Sequence, residues 1–141
     1  MSGSSTTVMV PPVSPLGPPG SDTIEDIFTS YFKSQGLASE PTAFDGRSDY
    51  GPFIAEGIPA GGLFSGAEGI KTPEEAAIYG GTAGEPYDAC YHQACDTINN
   101  LNTKALSELG DAAAHATLTL GPVEDRSVPR RQSARAGQGD W

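Results

Sequence analysis

Residues 87–97 read Tyr87-Asp88-Ala89-Cys90-Tyr91-His92-Gln93-Ala94-Cys95-Asp96-Thr97, and both cysteines of the chain lie in them. They bracket one of its two histidines, His92; the other is His115. A short segment bounded by cysteines can hold one imidazole and one phenol in a fixed relation. Three readings of the pair are open at this level. A disulfide could close a tight loop around Tyr91 and His92, because the spacing permits the required Cα separation if the chain turns. A loop this small gains modest entropic stability, so its main value would be local geometry. Cys90, His92 and Cys95 could instead hold a structural zinc, but such a site needs four ligands and the chain has no second cluster. Or the two could be buried thiols without a role. Tyr91 is either a packing residue or a donor to a developing oxyanion.

Outward from this stretch, helical signals stand on both sides. Asn102 is placed to cap a helix. Its apolar stripe is Leu101, Ala105, Leu109, Ala112, Ala116 and Leu120. His115 falls among alanines on that helix, where a structural role is the simple reading. Upstream, Thr72-Pro73-Glu74-Glu75 opens a short helix, with Thr72 as cap and Pro73 at its first position; residues 65–86 are otherwise loop. Ile58 to Phe64 reads as a buried strand in which Gly61-Gly62 lets backbone approach closely. Residues 50–57 predict a short helix closed by Gly57, and residues 38–44 a short strand. Ser21 or Asp22 begins a helix striped by Ile24, Ile27, Phe28, Tyr31 and Phe32 and stopped by Gly36. The order is helix, strand, helix, strand, loops, helix. That is an α/β arrangement with too few strands for a stable sheet, so the ordered part reads as one end of a larger sheet domain.

Both ends differ from this body. Residues 1–20 hold five of the twelve prolines and read as a disordered Pro/Gly-rich lead-in. Residues 121–141 have almost no apolar content and read as a disordered tail. Residues 21–120 form the expected domain. Formal net charge is −10, and Lys33, Arg47, Lys71 and Lys104 are the only cations before residue 121. An acidic body excludes nucleic acid as a partner, since phosphate binding draws on Lys and Arg. No apolar run is long enough to span a bilayer. The N-terminus lacks a basic region and carries prolines in its apolar stretch, so no signal peptide is read there and the expected location is cytoplasmic as encoded.

Two further clusters carry chemistry. Asp45-Gly46-Arg47-Ser48-Asp49-Tyr50 reads as a turn with an Asp-capped helix start. Arg47 could pair with its acidic neighbours or project a fork toward a substrate carboxylate or carbonyl. Gly61-Gly62-Leu63-Phe64-Ser65-Gly66 is glycine-rich but follows no phosphate-loop pattern. Phe64 is either core or the wall of an apolar pocket.

Three motifs occur in one order: Phe44-Asp45-Gly46-Arg47-Ser48-Asp49-Tyr50-Gly51-Pro52-Phe53, Gly57-Ile58-Pro59-Ala60-Gly61-Gly62-Leu63-Phe64-Ser65-Gly66-Ala67, and Tyr87 to Asp96. Together they resemble the C-terminal part of the two-zinc bacterial metalloaminopeptidases, the leucyl aminopeptidase and aminopeptidase Y group, from about residue 20 to residue 120. The resemblance implies a zinc-exopeptidase fold, a mixed central sheet flanked by helices. It implies a two-zinc centre with a hydroxide held between the ions, and removal of N-terminal, apolar residues from a peptide substrate. His92 matches the last metal ligand and Tyr91 the catalytic oxyanion donor beside it. Arg47 and Phe64 match substrate-binding positions, with Phe64 lining the specificity pocket. Cys90 and Cys95 match a disulfide of bacterial members, which are usually secreted or held at the cell envelope.

Departures accompany the match. The other metal ligands and the catalytic Glu lie upstream in the family, whereas residues 1–20 contain no His, Asp or Glu. Tyr50 stands where many members have His. Asp111 matches a calcium-associated acid of some members, but Ser107 replaces its partner. The expectation is a partial peptidase domain, a truncated chain that by itself binds zinc weakly and is inactive, its partner the missing N-terminal half. The alternative is a non-catalytic interaction module that pairs an open sheet edge with a partner or with itself.

Overall fold

The computed structural model describes residues 8–10 and 17–121. The centre of the molecule is a pair of helices. α1 (Ser21–Ser34) and α4 (Thr103–Leu120) pack through Phe28, Phe32, Ala112 and Ala116, with Phe32 fully buried. The two alanines stand one helical turn apart, so they share a face and leave a hollow for the phenylalanine rings. Ile24, Ile27, Tyr31, Leu37, Leu63 and Leu109 close around that cluster. The stripe on α4 is therefore real at its centre and not at its ends: Leu101 is 51% and Leu120 39% exposed. α1 has 14 residues against 18 in α4, and the stripe overruns it. His115 stacks on Tyr31 at a centroid distance of 4.8 Å, a packing role.

Local signals set the helix ends. Gly20, at φ 101, is the N-cap of α1 in place of Ser21 or Asp22. Ser21 is buried, and its hydroxyl accepts the N–H of Ala60 at 3.1 Å; a side chain committed there cannot cap its own helix. At the other end Gly36, at φ 68, sends its N–H to Lys33, and Leu37 sends its own to Phe32. This Schellman closure turns Leu37 into the core. Asn102 caps α4 by accepting from the N–H of Ala105 at 3.1 Å. α3 (Pro73–Tyr79) starts with a capping box, Thr72 accepting from Glu75 N–H and Glu75 from Thr72 N–H.

The strands depart from expectation. β1 (Val8–Val10) lies inside the lead-in read as disordered, and it pairs in parallel with β2 (Ser39–Pro41). An apolar triplet with two β-branched residues gains backbone partners there. The rest of the lead-in before residue 17, and the tail after Gly121, lie outside the described residues. β2 is shorter than 38–44 because Pro41 has no N–H to donate onward. Ile58 to Phe64 is not a buried strand: Ile58 is 48% and Phe64 39% exposed. Pro59 lacks a donor, and the segment is held against α1 instead. A Cβ on Gly61 would lie 2.5 Å from Ile24 Cγ2, so glycine is needed for that approach. Among the described residues the sheet is one ladder of two strands. The larger mixed sheet implied by the resemblance is not formed by them. No described helix is long and apolar enough to cross a membrane.

Candidate functional site

Three separate segments build one cleft, and each is shaped by short-range bonds. In the first, Cys90 and Cys95 form a disulfide with Cα atoms 5.3 Å apart. That decides among the readings of the pair, since zinc binds thiolate and both sulfurs are consumed. Further bonds set the loop: Asp88 Oδ1 accepts from Cys90 N–H at 2.8 Å and from Asn100 Nδ2 at 3.0 Å. Asn100 also reaches Asp96 Oδ1 at 3.2 Å, so one side chain ties both flanks of the loop. Inside it His92 sits at φ 55, a left-handed conformation that costs about 1–3 kcal/mol for a residue with a side chain. The Tyr91 and His92 rings lie 4.0 Å apart.

The second segment is the turn at 44–50. Asp45 Oδ1 accepts from Arg47 N–H at 3.1 Å, and the Tyr50 hydroxyl accepts from Gly46 N–H at 2.9 Å. The Phe44 and Tyr50 rings stack at 4.4 Å. Tyr50 is also the N-cap of α2 (Gly51–Ala55), with no side-chain cap, so the expected Asp cap is absent. The turn is closed by these bonds, and the Arg47 side chain projects from it into the cleft.

The third segment, residues 64–69, is tied to the start of the cysteine loop. Tyr87 N–H donates to Gly69 O at 2.9 Å and Asp88 N–H to Ala67 O at 2.8 Å. The Tyr87 ring lies against Gly66 so closely that a Cβ there would overlap its Cγ. This docking carries Tyr91 to Phe64 and Glu68.

The resulting cleft has a volume of about 330 Å³, and Arg47, Phe64 and Tyr91 all line it. His92 does not; it is exposed, one residue beyond Tyr91. Arg47 Nη2 donates to Glu68 Oε1 at 2.8 Å across the cleft. That hydrogen bond is the largest influence holding the Glu68 carboxyl below its ordinary range, and it raises the Arg47 guanidinium. Glu68 is a site residue that the sequence reading missed. Its one signal was position, an acid just after the glycine-rich motif.

The described residues do not fit the pair of zinc ions that the resemblance implies. Among them no three His, Cys, Asp or Glu side chains converge as a metal cage, and His92 has no second imidazole or thiolate beside it. What the cleft can do with its own groups is narrower: Phe64 and Leu63 offer apolar contact, Tyr91 and Arg47 donate hydrogen bonds, and Asp45, Asp49 and Glu68 accept them.

Comparison with known sequences agrees with these motifs. The pattern of peptidase family M28 matches residues 1–117. The chain is 49% identical over 124 residues to the "Aminopeptidase" of Pseudomonas aeruginosa, covering 85% of this chain and 23% of that protein. With "Leucine aminopeptidase 2" of Trichophyton rubrum it shares 50% over 100 residues, 71% of this chain and 20% of the other. With "probable leucine aminopeptidase 2" of Aspergillus oryzae it shares 49% over 117 residues, 83% of this chain and 23% of the other. The chain thus spans about a quarter or less of the length of the curated relatives it matches.

Proposed function

The chain belongs to peptidase family M28, and from that premise we propose that it supplies the substrate-facing wall of a zinc-dependent aminopeptidase site. The observation that carries this reading is the convergence of Arg47, Phe64 and Tyr91, from three segments, in one cleft. Phe64 takes the apolar side chain of a peptide's N-terminal residue. Arg47 donates to a carbonyl of the peptide, and Tyr91 donates to the oxygen on which charge develops when the amide is attacked. His92, held beside Tyr91 by the disulfide loop, is the metal ligand that the described residues contribute. The remaining ligands, the base that activates water and the larger mixed sheet lie outside the described residues.

This reading makes the chain a binding wall without turnover of its own. The test is an amide NMR titration with leucinamide and glycinamide, run with elemental analysis for zinc and a leucine-anilide assay. Leucinamide should shift cleft amides more than glycinamide does, and Phe64→Ala should erase the difference. Equal shifts by both ligands would refute the pocket assignment. Stoichiometric zinc with turnover by the chain alone would refute the division of labour.

A further inference from the structure

Glu68 has no place in the three motifs, yet it sits in the cleft with its carboxylate on the guanidinium most suited to meet substrate. The two side chains reach across 21 residues of sequence and remain 72% and 53% exposed, so burial does not force them to meet. Arg47 is fixed at its base by the Asp45 turn. Glu68 is fixed at its base by buried Ala67, whose carbonyl accepts from Asp88. The same cleft also holds Asp45 and Asp49, so among the described residues that line it one cation stands with three acids.

Resting on the reading of this cleft as the seat of a peptide N-terminus, we infer that Glu68 is the positioning residue of Arg47. It directs the guanidinium to an uncharged carbonyl and away from a carboxylate. An unpaired Arg fork is a strong bidentate receptor for carboxylate. Here Glu68 already takes one of its nitrogens, leaving N–H groups enough for a carbonyl oxygen, which needs only a donor. A second carboxylate would enter a field dominated by acids and meet repulsion. For a site that cleaves amides this separates substrate from product, because an amino-acid product differs from the residue in its peptide by carrying a carboxylate at that carbon. The residue thus sets specificity through Arg47, without contact to the reacting atoms.

The experiment titrates leucinamide and leucine into the full chain at about pH 6, below the α-amino range, reading cleft amides by NMR. The native chain should favour leucinamide. Glu68→Gln should narrow the ratio of the two affinities about two- to fivefold, through tighter leucine binding, and added salt should weaken that new leucine affinity. Adding Arg47→Gln to Glu68→Gln should remove the gain, and Glu68→Asp, which keeps the charge, should keep the native ratio. A change in loop or cleft structure alone would weaken both ligands together. An unchanged ratio in Glu68→Gln, or equal loss of both ligands, overturns the inference while leaving the cleft assignment standing. Failure of both ligands to bind the native chain overturns the cleft assignment itself, and this inference with it.

Discussion

Replacing both cysteines, as Cys90→Ala/Cys95→Ala, tests whether the disulfide holds the loop locally or stabilises the whole fold. The cross-link joins residues five apart, and loop-closure entropy for a ring of that size is worth about 2 kcal/mol. The left-handed backbone of His92 costs about 1–3 kcal/mol. These are similar sizes, so without the cross-link the strained conformation loses the constraint that offsets it. What remains inside the loop is local: Gln93 N–H to Cys90 O at 2.8 Å and Asp96 N–H to Gln93 O at 3.0 Å. A loss of about 2 kcal/mol corresponds to an opening equilibrium about thirtyfold more favourable. Hydrogen exchange at the Gln93 and Asp96 amides should accelerate by that factor, and the ring-current shifts between Tyr91 and His92 should fade. The amides of Ala112 and Ala116, in the α1–α4 core, should change little. Unchanged exchange at Gln93 and Asp96 would show that the turn bonds suffice. Equal acceleration at Ala112 and Ala116 would show that the cross-link supports the core instead.

The core itself is small, so one residue should dominate it. Phe32→Ala removes a fully buried ring and should cost about 3–5 kcal/mol; a urea midpoint close to that of the native chain would contradict the packing described. Thr72→Ala breaks the capping box of α3 and should cost about 1 kcal/mol, seen as faster exchange at the Glu75 amide with α1 and α4 unaffected. Burial raises the Tyr79 phenol from 10.0 to about 12. The folded state therefore disfavours tyrosinate, and this contribution to stability is complete below pH 10.0 and lost as pH rises through about 12. Ultraviolet titration should show this phenol ionising late and together with unfolding. Ionisation of all the tyrosines near their ordinary range, with the fold intact, would contradict its burial.

Much of the helical structure was legible in the sequence, because its causes are local. The stripe from Ile24 to Phe32, the Gly36 stop, the Thr72 cap and the Asn102 cap each depend on residues within about one or two turns of helix. The strands were less legible. Val8–Val10 forms a strand only because Ser39–Pro41 lies beside it, and Ile58 to Phe64 fails to form one because α1 takes that segment. In both cases the deciding partner is remote in the chain.

The same division runs through the site. The sequence by itself singled out Arg47, Phe64, Tyr91 and His92 as candidates, and the family they resemble, because side-chain type and spacing are properties of the chain. Only the tertiary structure decided that Arg47, Phe64 and Tyr91 share a cleft, that His92 stands outside its lining, and that Glu68 closes on Arg47. Those relations depend on the docking of Tyr87 and Asp88 onto Gly69 and Ala67, a backbone pairing between distant segments that no local pattern encodes.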